Sequence, residues 1–157
     1  MKSKPNLKKI LTAHPFLAGV KPAVREVFFR YAALQQFDAG QQLFYAGEQA
    51  DRFYLVESGQ VLLEMVVPGR GAITVQAVGP GEALGWSWLF PPHQWHFSAV
   101  AVKPTRAIAF PAKALQDWAK QDHEFCYELV VRLARVLVGR LEDVQTRLIY
   151  NHQYPPS

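Results

Sequence analysis

The apolar residues of the chain change their spacing twice, and the two changes divide it into three stretches. From Leu7 to about Tyr31 they recur at helical intervals, interrupted at Pro15 and at Pro22; the second proline suits the first turn of a helix through Val24, Val27 and Phe28. Between Leu34 and about Phe110 the pattern shortens into runs rich in Val, Phe, Tyr, Ile and Thr, separated by glycine and proline at intervals of roughly ten residues. The punctuation is Asp38-Ala39-Gly40, Ala46-Gly47-Glu48, Glu57-Ser58-Gly59, Pro68-Gly69-Arg70-Gly71, Gly79-Pro80-Gly81 and Phe90-Pro91-Pro92, each closing a predicted strand. Such a series predicts a hairpin-rich sandwich or barrel. After Pro111 helical spacing returns, first through Ala114, Leu115 and Trp118, then as a long helix from its cap at Asp122 to about Tyr150, with Gly139 as its one weak point.

Two apolar stripes run along that long helix. Phe125, Leu129, Leu133 and Val136 form the shorter one. Tyr127, Val130, Ala134, Leu137, Leu141, Val144 and Leu148 form the other, in steps of three and four over about three heptads, as in a coiled coil. A helix built this way can cover the β-structure with one stripe and pair with a second copy through the other, so a homodimer is expected. The plainer alternative packs both stripes on one core in a monomer. The expected organisation is a single domain: an amino-terminal helical segment over 1–32, a β-region over 33–111, helices over 112–150 and a tail over 151–157.

Composition agrees with one globular domain. The chain has 157 residues, 50 % of them apolar and 13 % aromatic, enough for a sizeable core and against disorder. A net charge of +4 needs a dense patch before it means an acidic partner, and none is visible. Lys2, Lys4, Lys8 and Lys9 are loosely spread, while Arg132, Arg135, Arg140 and Arg147 alternate with Glu128, Glu142 and Asp143, as on a solvated helix face. Cys126, the only cysteine, excludes an internal disulfide and reads as inert packing. No apolar run suits a signal peptide or a membrane span, which makes the cytoplasm the expected location. No phosphate loop, nucleophile elbow or carboxylate cluster points to catalysis. His93 and His96 lie three apart without a Cys, Asp or Glu beside them, so neither a metal nor a cofactor is expected. His14 and His123 read as ordinary surface or helix-end residues.

Several segments carry a family resemblance. His14-Pro15-Phe16-Leu17 with Gly19-Val20-Lys21-Pro22, the stretch from Gly40 through Gly47-Glu48 to Asp51, the run Phe53 to Val61, and Gly79-Pro80-Gly81-Glu82-Ala83-Leu84-Gly85 together resemble the cyclic-nucleotide-binding domain family, which includes the sensor half of catabolite-activator-type regulators. The resemblance implies a mainly β fold, a jelly-roll or β-roll (double-stranded β-helix) with amino-terminal helices, a long carboxy-terminal helix and a phosphate cassette at 79–98. In that family the cassette opens a short helix whose amides hold the cyclic phosphate, a glutamate after the last glycine takes the ribose, and an arginine further on neutralises the phosphate. Here Trp86 follows Gly85, Trp95 stands where the arginine would fall, and no Lys or Arg occurs between Gly71 and Val102. A one-residue slip brings Gln94 or His96 to that place, neither a permanent cation. Losing a buried charge-assisted partner costs about 2–5 kcal/mol, so tight binding of cyclic AMP or cyclic GMP is not expected. Helix amides near Gly85, Ser87 and Trp88, with protonated His96, retain a weak attraction for an anion.

Trp86, Trp88, Phe90, Trp95 and Phe97 concentrate aromatic rings where the family puts its ligand. Three readings stand. In the first the rings line an apolar pocket whose polar groups are Ser87, Gln94, His96 and Ser98; in the second they fill the old cavity as core; in the third they form a partner-binding patch stiffened by Pro91-Pro92. Filling is preferred, because nothing else in the sequence points to a guest. Glu82, Leu84, Gly85, Trp86, Ser87, Trp88, Gln94, Trp95, His96 and Ser98 are the candidate site. The expected function is a stand-alone sensor domain acting through an altered pocket, with a small-molecule ligand of unknown identity, or through protein contacts. The rival is a true cyclic-nucleotide receptor with non-standard phosphate recognition. A winged helix-turn-helix follows the long helix in activators, whereas only Asn151 to Ser157 follow it here, so direct nucleic-acid binding is not expected.

Overall fold

The computed structural model describes residues 6–153. Helix α1 (Leu7–Ala13) begins at Asn6, whose side chain accepts the amide of Lys9, and a 3-10 turn follows at Pro15–Leu17. Helix α2 (Pro22–Tyr31) starts on Pro22, where a missing amide donor costs nothing. Eight strands follow: β1 (Ala33–Phe37), β2 (Gln42–Phe44), β3 (Arg52–Ser58), β4 (Val61–Val67), β5 (Gly71–Val78), β6 (Ala83–Leu84), β7 (Ser98–Ala101) and β8 (Thr105–Pro111). Helices α3 (Ala112–Gln121) and α4 (His123–Gln153) complete the chain.

The strands form two four-stranded antiparallel sheets, ordered β1-β8-β3-β6 and β2-β7-β4-β5. The pairs β1–β8, β2–β7, β3–β6 and β4–β5 are nested, as in one long hairpin whose tip is the Pro68 to Arg70 turn, rolled up so that β3 also meets β8 and β4 also meets β7. This is the mainly β roll that the turn spacing and the resemblance imply. Its core contains Phe53, Leu55, Val61, Leu84, Ile108 and Phe110, all fully buried. Gly59 closes the β3–β4 turn at φ +95°, and a Cβ there would lie 2.5 Å from the carbonyl oxygen of Pro104, so only glycine suits the site.

Asp122 caps α4 by accepting the amides of Glu124 and Phe125, as its position predicts. The inner stripe then packs: Phe125, Leu129 and Leu133 are buried, and the Phe125 ring lies 5.5 Å from that of Phe28. Three polar contacts fix the helix direction. Arg132 donates to the carbonyl of Ala18 at 2.8 Å, Arg140 to that of Ala83 at 2.7 Å, and Gln76 of β5 to Asp143 at 3.0 Å. The outer stripe is left uncovered within the chain, with Val130 43 %, Leu141 57 % and Leu148 64 % exposed. This corrects the alternative in which both stripes pack on one core: an open cleft separates the distal part of the outer stripe from Leu63, Met65 and Val75 of the roll.

His14 does stand at a helix end, closing α1 and capping the 3-10 turn, but it is not at the surface, which is a correction: it is buried, with Nε2 3.0 Å from the carbonyl of Val56 and Nδ1 accepting the amide of Phe16, so it joins the amino-terminal helices to β3. Burial lowers its pKa, against the opposing pull of the Val56 carbonyl and the Glu57 charge.

Candidate functional site

The cassette follows β6. Gly85 has φ +90°, and a Cβ built on it would lie 2.6 Å from the Trp95 ring. The indole of Trp95 therefore crowds the Gly85 backbone, and it stacks on Phe44 with centroids 3.7 Å apart and planes 10° apart. Trp95 is only 5 % exposed. The void left beside Phe44, Leu63, Gly85 and Trp95 measures about 10 Å³, the lower limit for a single water.

The other candidates do not form one lining. Leu84 and Trp88 belong to the core, Trp88 lying 5.1 Å from the Phe53 ring with its indole N–H unpartnered among the described residues. Gln94 is exposed and bridges backbone to backbone with Gln49, while Ser98 accepts the amide of Ala46. Glu82 is exposed and accepts the amide of Gly79. Gly85, Trp86, Ser87, Trp95 and His96 do come together: the His96 ring lies 4.6 Å from that of Trp86, tilted by 35°, and its Nδ1 lies 2.9 Å from the hydroxyl of buried Ser87.

The implied cassette helix is absent, which is a correction. Residues 86–90 form a turn, closed by the Leu89 amide on the Trp86 carbonyl at 3.2 Å. Trp88 is drawn into the core and its carbonyl accepts the Gln116 amide, while Pro91 and Pro92 carry no amide donor with which to extend a helix. The helix amides expected to attract an anion are therefore not arranged as such.

A cation nevertheless reaches the cassette, from α4. The half-buried guanidinium of Arg140 borders the filled void beside Trp86 and Ser87 and donates to Ala83. Burial lowers its pKa, opposed by the charges of Glu82 and Asp143. The sequence pattern sets Arg132 and Arg140 on a solvated helix face, and both are corrected: Arg132 is buried and Arg140 half-buried. The signal for Arg140 is its alignment with the inner stripe: Leu129, Leu133, Val136 and Arg140 continue in steps of four, three and four.

Beyond Arg140 a cleft of about 510 Å³ opens between the roll and the distal half of α4. Leu63, Met65, Val75, Trp86 and Phe97 form one wall, and Leu137, Leu141, Val144 and Leu148 the other. Its polar residues are Gln76, Arg140, Arg147 and Asn151. Among the described residues no group of His, Cys, Asp and Glu is placed to hold a metal, and no helix is long and apolar enough to cross a membrane.

The profile of the family described as cyclic nucleotide-binding domain matches residues 34–122, more than half of the chain. The chain is 27 % identical over 142 residues to the CRP-like cAMP-activated global transcriptional regulator of Mycobacterium tuberculosis, an alignment covering 90 % of this chain and 62 % of that protein. The chain thus spans about three fifths of the length of that curated relative. The crystal structure of the Thermus thermophilus catabolite activator protein superposes with a TM-score of 0.67 at 28 % identity, covering 86 % of this chain and 62 % of that one. A provisionally named cyclic nucleotide-binding protein of Geobacter metallireducens GS-15 superposes with a TM-score of 0.78 at 24 % identity, over 86 % of this chain and 98 % of that one, which speaks to the fold alone.

Proposed function

This chain belongs to the cyclic nucleotide-binding domain family, whose members are typically regulatory rather than catalytic, and we propose that it is a regulatory sensor domain that does not hold cyclic AMP or cyclic GMP in the family's usual way. It acts instead through an altered pocket beside α4 or through protein contacts. The observation that carries this reading is the Trp95 ring, wedged between Phe44 and Gly85 at the place a ligand would need. A nucleotide entering there must first expel a buried indole, and it meets no cassette arginine to offset the desolvation of its phosphate.

In this reading the domain works as a homodimer paired through Val130, Ala134, Leu137, Leu141, Val144 and Leu148. Exposure of the outer stripe along a 31-residue helix supports it. The whole of 1–157 acts as one unit in the cytoplasm, without direct nucleic-acid contact. Arg132 is committed to the Ala18 carbonyl and to Glu128 of its own chain, which supports that last point.

Isothermal titration at about pH 7 with cyclic AMP and cyclic GMP tests the proposal. The expected result is no saturable heat in the low-micromolar range, about −8 kcal/mol of binding free energy. Binding of that strength would establish the second reading, a true receptor with non-standard phosphate recognition. One observation favours that reading: Arg140 brings a permanent cation to the cassette's edge. Loss of the binding in Arg140→Gln would then identify it as the phosphate partner.

A further inference from the structure

We propose that the cleft between the roll and the distal half of α4 binds a long-chain fatty acid or a similar amphipathic monoanion, with the carboxylate on Arg140 and the chain laid along Val144 and Leu148. The inference rests on the reading that this domain takes something other than a nucleotide, and it names the chemical class of that ligand.

Volume comes first. About 510 Å³ lies within the range of small-molecule sites, and unlike the void under Trp95 it is open. The walls are apolar on both sides, with Leu63, Met65 and Val75 facing Leu141, Val144 and Leu148. An occupant that covered them would remove exposed leucine side chains from water.

Charge selects the head group. The lining contains two arginines and no carboxylate. Arg140 donates to a neutral carbonyl at 2.7 Å, and no carboxylate among the described residues lies within ion-pair distance of it. The two acids nearest in field are otherwise engaged: Glu82 accepts the Gly79 amide and Asp143 accepts from Gln76. A half-buried guanidinium that opens on an apolar cleft lacks the bidentate partner that its geometry suits. A carboxylate at the end of an apolar chain supplies both halves of that complement. Arg147, exposed on the same wall, adds positive field for an approaching anion.

Length and polarity argue against a nucleotide in the cleft. From Arg140 to Asn151 the wall runs eleven residues, about 16 Å along the helix axis. A base and sugar would need donors and acceptors along that distance. Besides the arginines only Gln76 and Asn151 offer them, and Gln76 is already bonded to Asp143.

Titration of the purified full chain with monomeric oleate tests the proposal, read by calorimetry and by the fluorescence of Trp86, which is part of the wall. Saturable binding is expected, with oleyl alcohol, of equal chain length and no charge, weaker by about tenfold or more. Arg140→Gln is expected to bring oleate down to the level of the alcohol while leaving the alcohol unchanged, and Val144→Glu to abolish both. No saturable oleate binding by the wild type overturns the inference, as does equal affinity for oleate and the alcohol. The second comparison uses the wild type alone, so it holds even where a variant misfolds. If pairing of α4 with a second copy seals the cleft, oleate fails to bind the dimer seen by sedimentation, and the inference falls in that way too. Cyclic AMP run in parallel separates the two claims: binding of the nucleotide removes the reading of the domain, whereas failure of oleate alone removes only the ligand class.

Discussion

Trp95→Ala probes the claim on which the functional reading turns, that an indole has become core where the family's ligand lies. The side chain is only 5 % exposed, stacked on Phe44 and close against Gly85. A buried tryptophan removes about 150–250 Å² from water, which at about 25 cal/mol per Å² is about 4–6 kcal/mol of transfer free energy. Core truncations of this kind cost about 3–5 kcal/mol once partial collapse is included. An intermediate value of about 4 kcal/mol lowers the melting temperature of a domain of this size by about 8–16 °C. The assay is equilibrium urea unfolding of wild type and variant, with Phe90→Ala as control, since that ring is 43 % exposed. Addition of indole to the variant is expected to restore part of the loss, because a ligand that binds only the folded state stabilises it. A loss below about 1 kcal/mol, no larger than that of Phe90→Ala, would mean that Trp95 does not hold the roll together and that the cavity is not filled in the sense argued here.

Three further outcomes follow from the same structure. His14 has a folded pKa below its ordinary 6.5, so the unfolded chain takes up the proton first; stability is complete above about pH 6.5 and falls as pH drops from there toward the folded value. Urea midpoints at about pH 7.5 and about pH 5.5 should show the fall, and His14→Gln should flatten it; an unchanged slope in the variant refutes the assignment, since the lowered pKa of Glu57 acts only below its own ordinary 4.5. Gly59→Ala should cost more than Gly69→Ala, because both have positive φ but only the first brings a Cβ to 2.5 Å of a backbone oxygen; about 1–2 kcal/mol is expected for Gly69 and more for Gly59, and equal losses would refute the clash. Sedimentation of wild type against Leu141→Glu tests helix pairing: a dimer that becomes a monomer is expected, and one monomeric mass for both removes the pairing claim.

What the sequence made legible was what short-range chemistry decides. Pro22 at a helix start, Asp122 as a cap, the glycines in left-handed turns and most of the strand-length runs between them act within a few residues and stand where the pattern predicts; the strand expected before Phe90-Pro91-Pro92 is instead the turn at 86–90. The roll came through family resemblance, because no local signal says that Ala33 of β1 pairs with Ala109 of β8, 76 residues further on. The aromatic cassette was half legible. Its rings were visible, but which of them would be core was not: Trp88 and Trp95 are both buried, for reasons that reside in Phe53 and Phe44, distant in sequence and unmarked by any pattern in the cassette. His14 escaped for the same reason, since its partner is the carbonyl of Val56.

Arg140 is the instructive miss, because its position was readable and its meaning was not. Steps of four, three and four from Leu129 place it on the buried face, yet an arginine on an apolar face is ordinarily taken for a surface residue with a long stem. Only the path of α4 past Ala83 turns that stem into a cation at the cassette. The transfer has a physical consequence. A cassette arginine would hold an anion inside the roll whatever the long helix did, whereas Arg140 moves with the helix. Any anion it binds therefore has a different affinity for each position of α4, and by linkage must bias that position by the same free energy. Leu137, Leu141, Val144 and Leu148 face the cleft and also belong to the stripe through which helix pairing is proposed. Occupancy of the cleft and pairing of the helix therefore draw on the same side chains, and a ligand that orders this wall changes the surface offered to a second copy without any contact of its own with that copy.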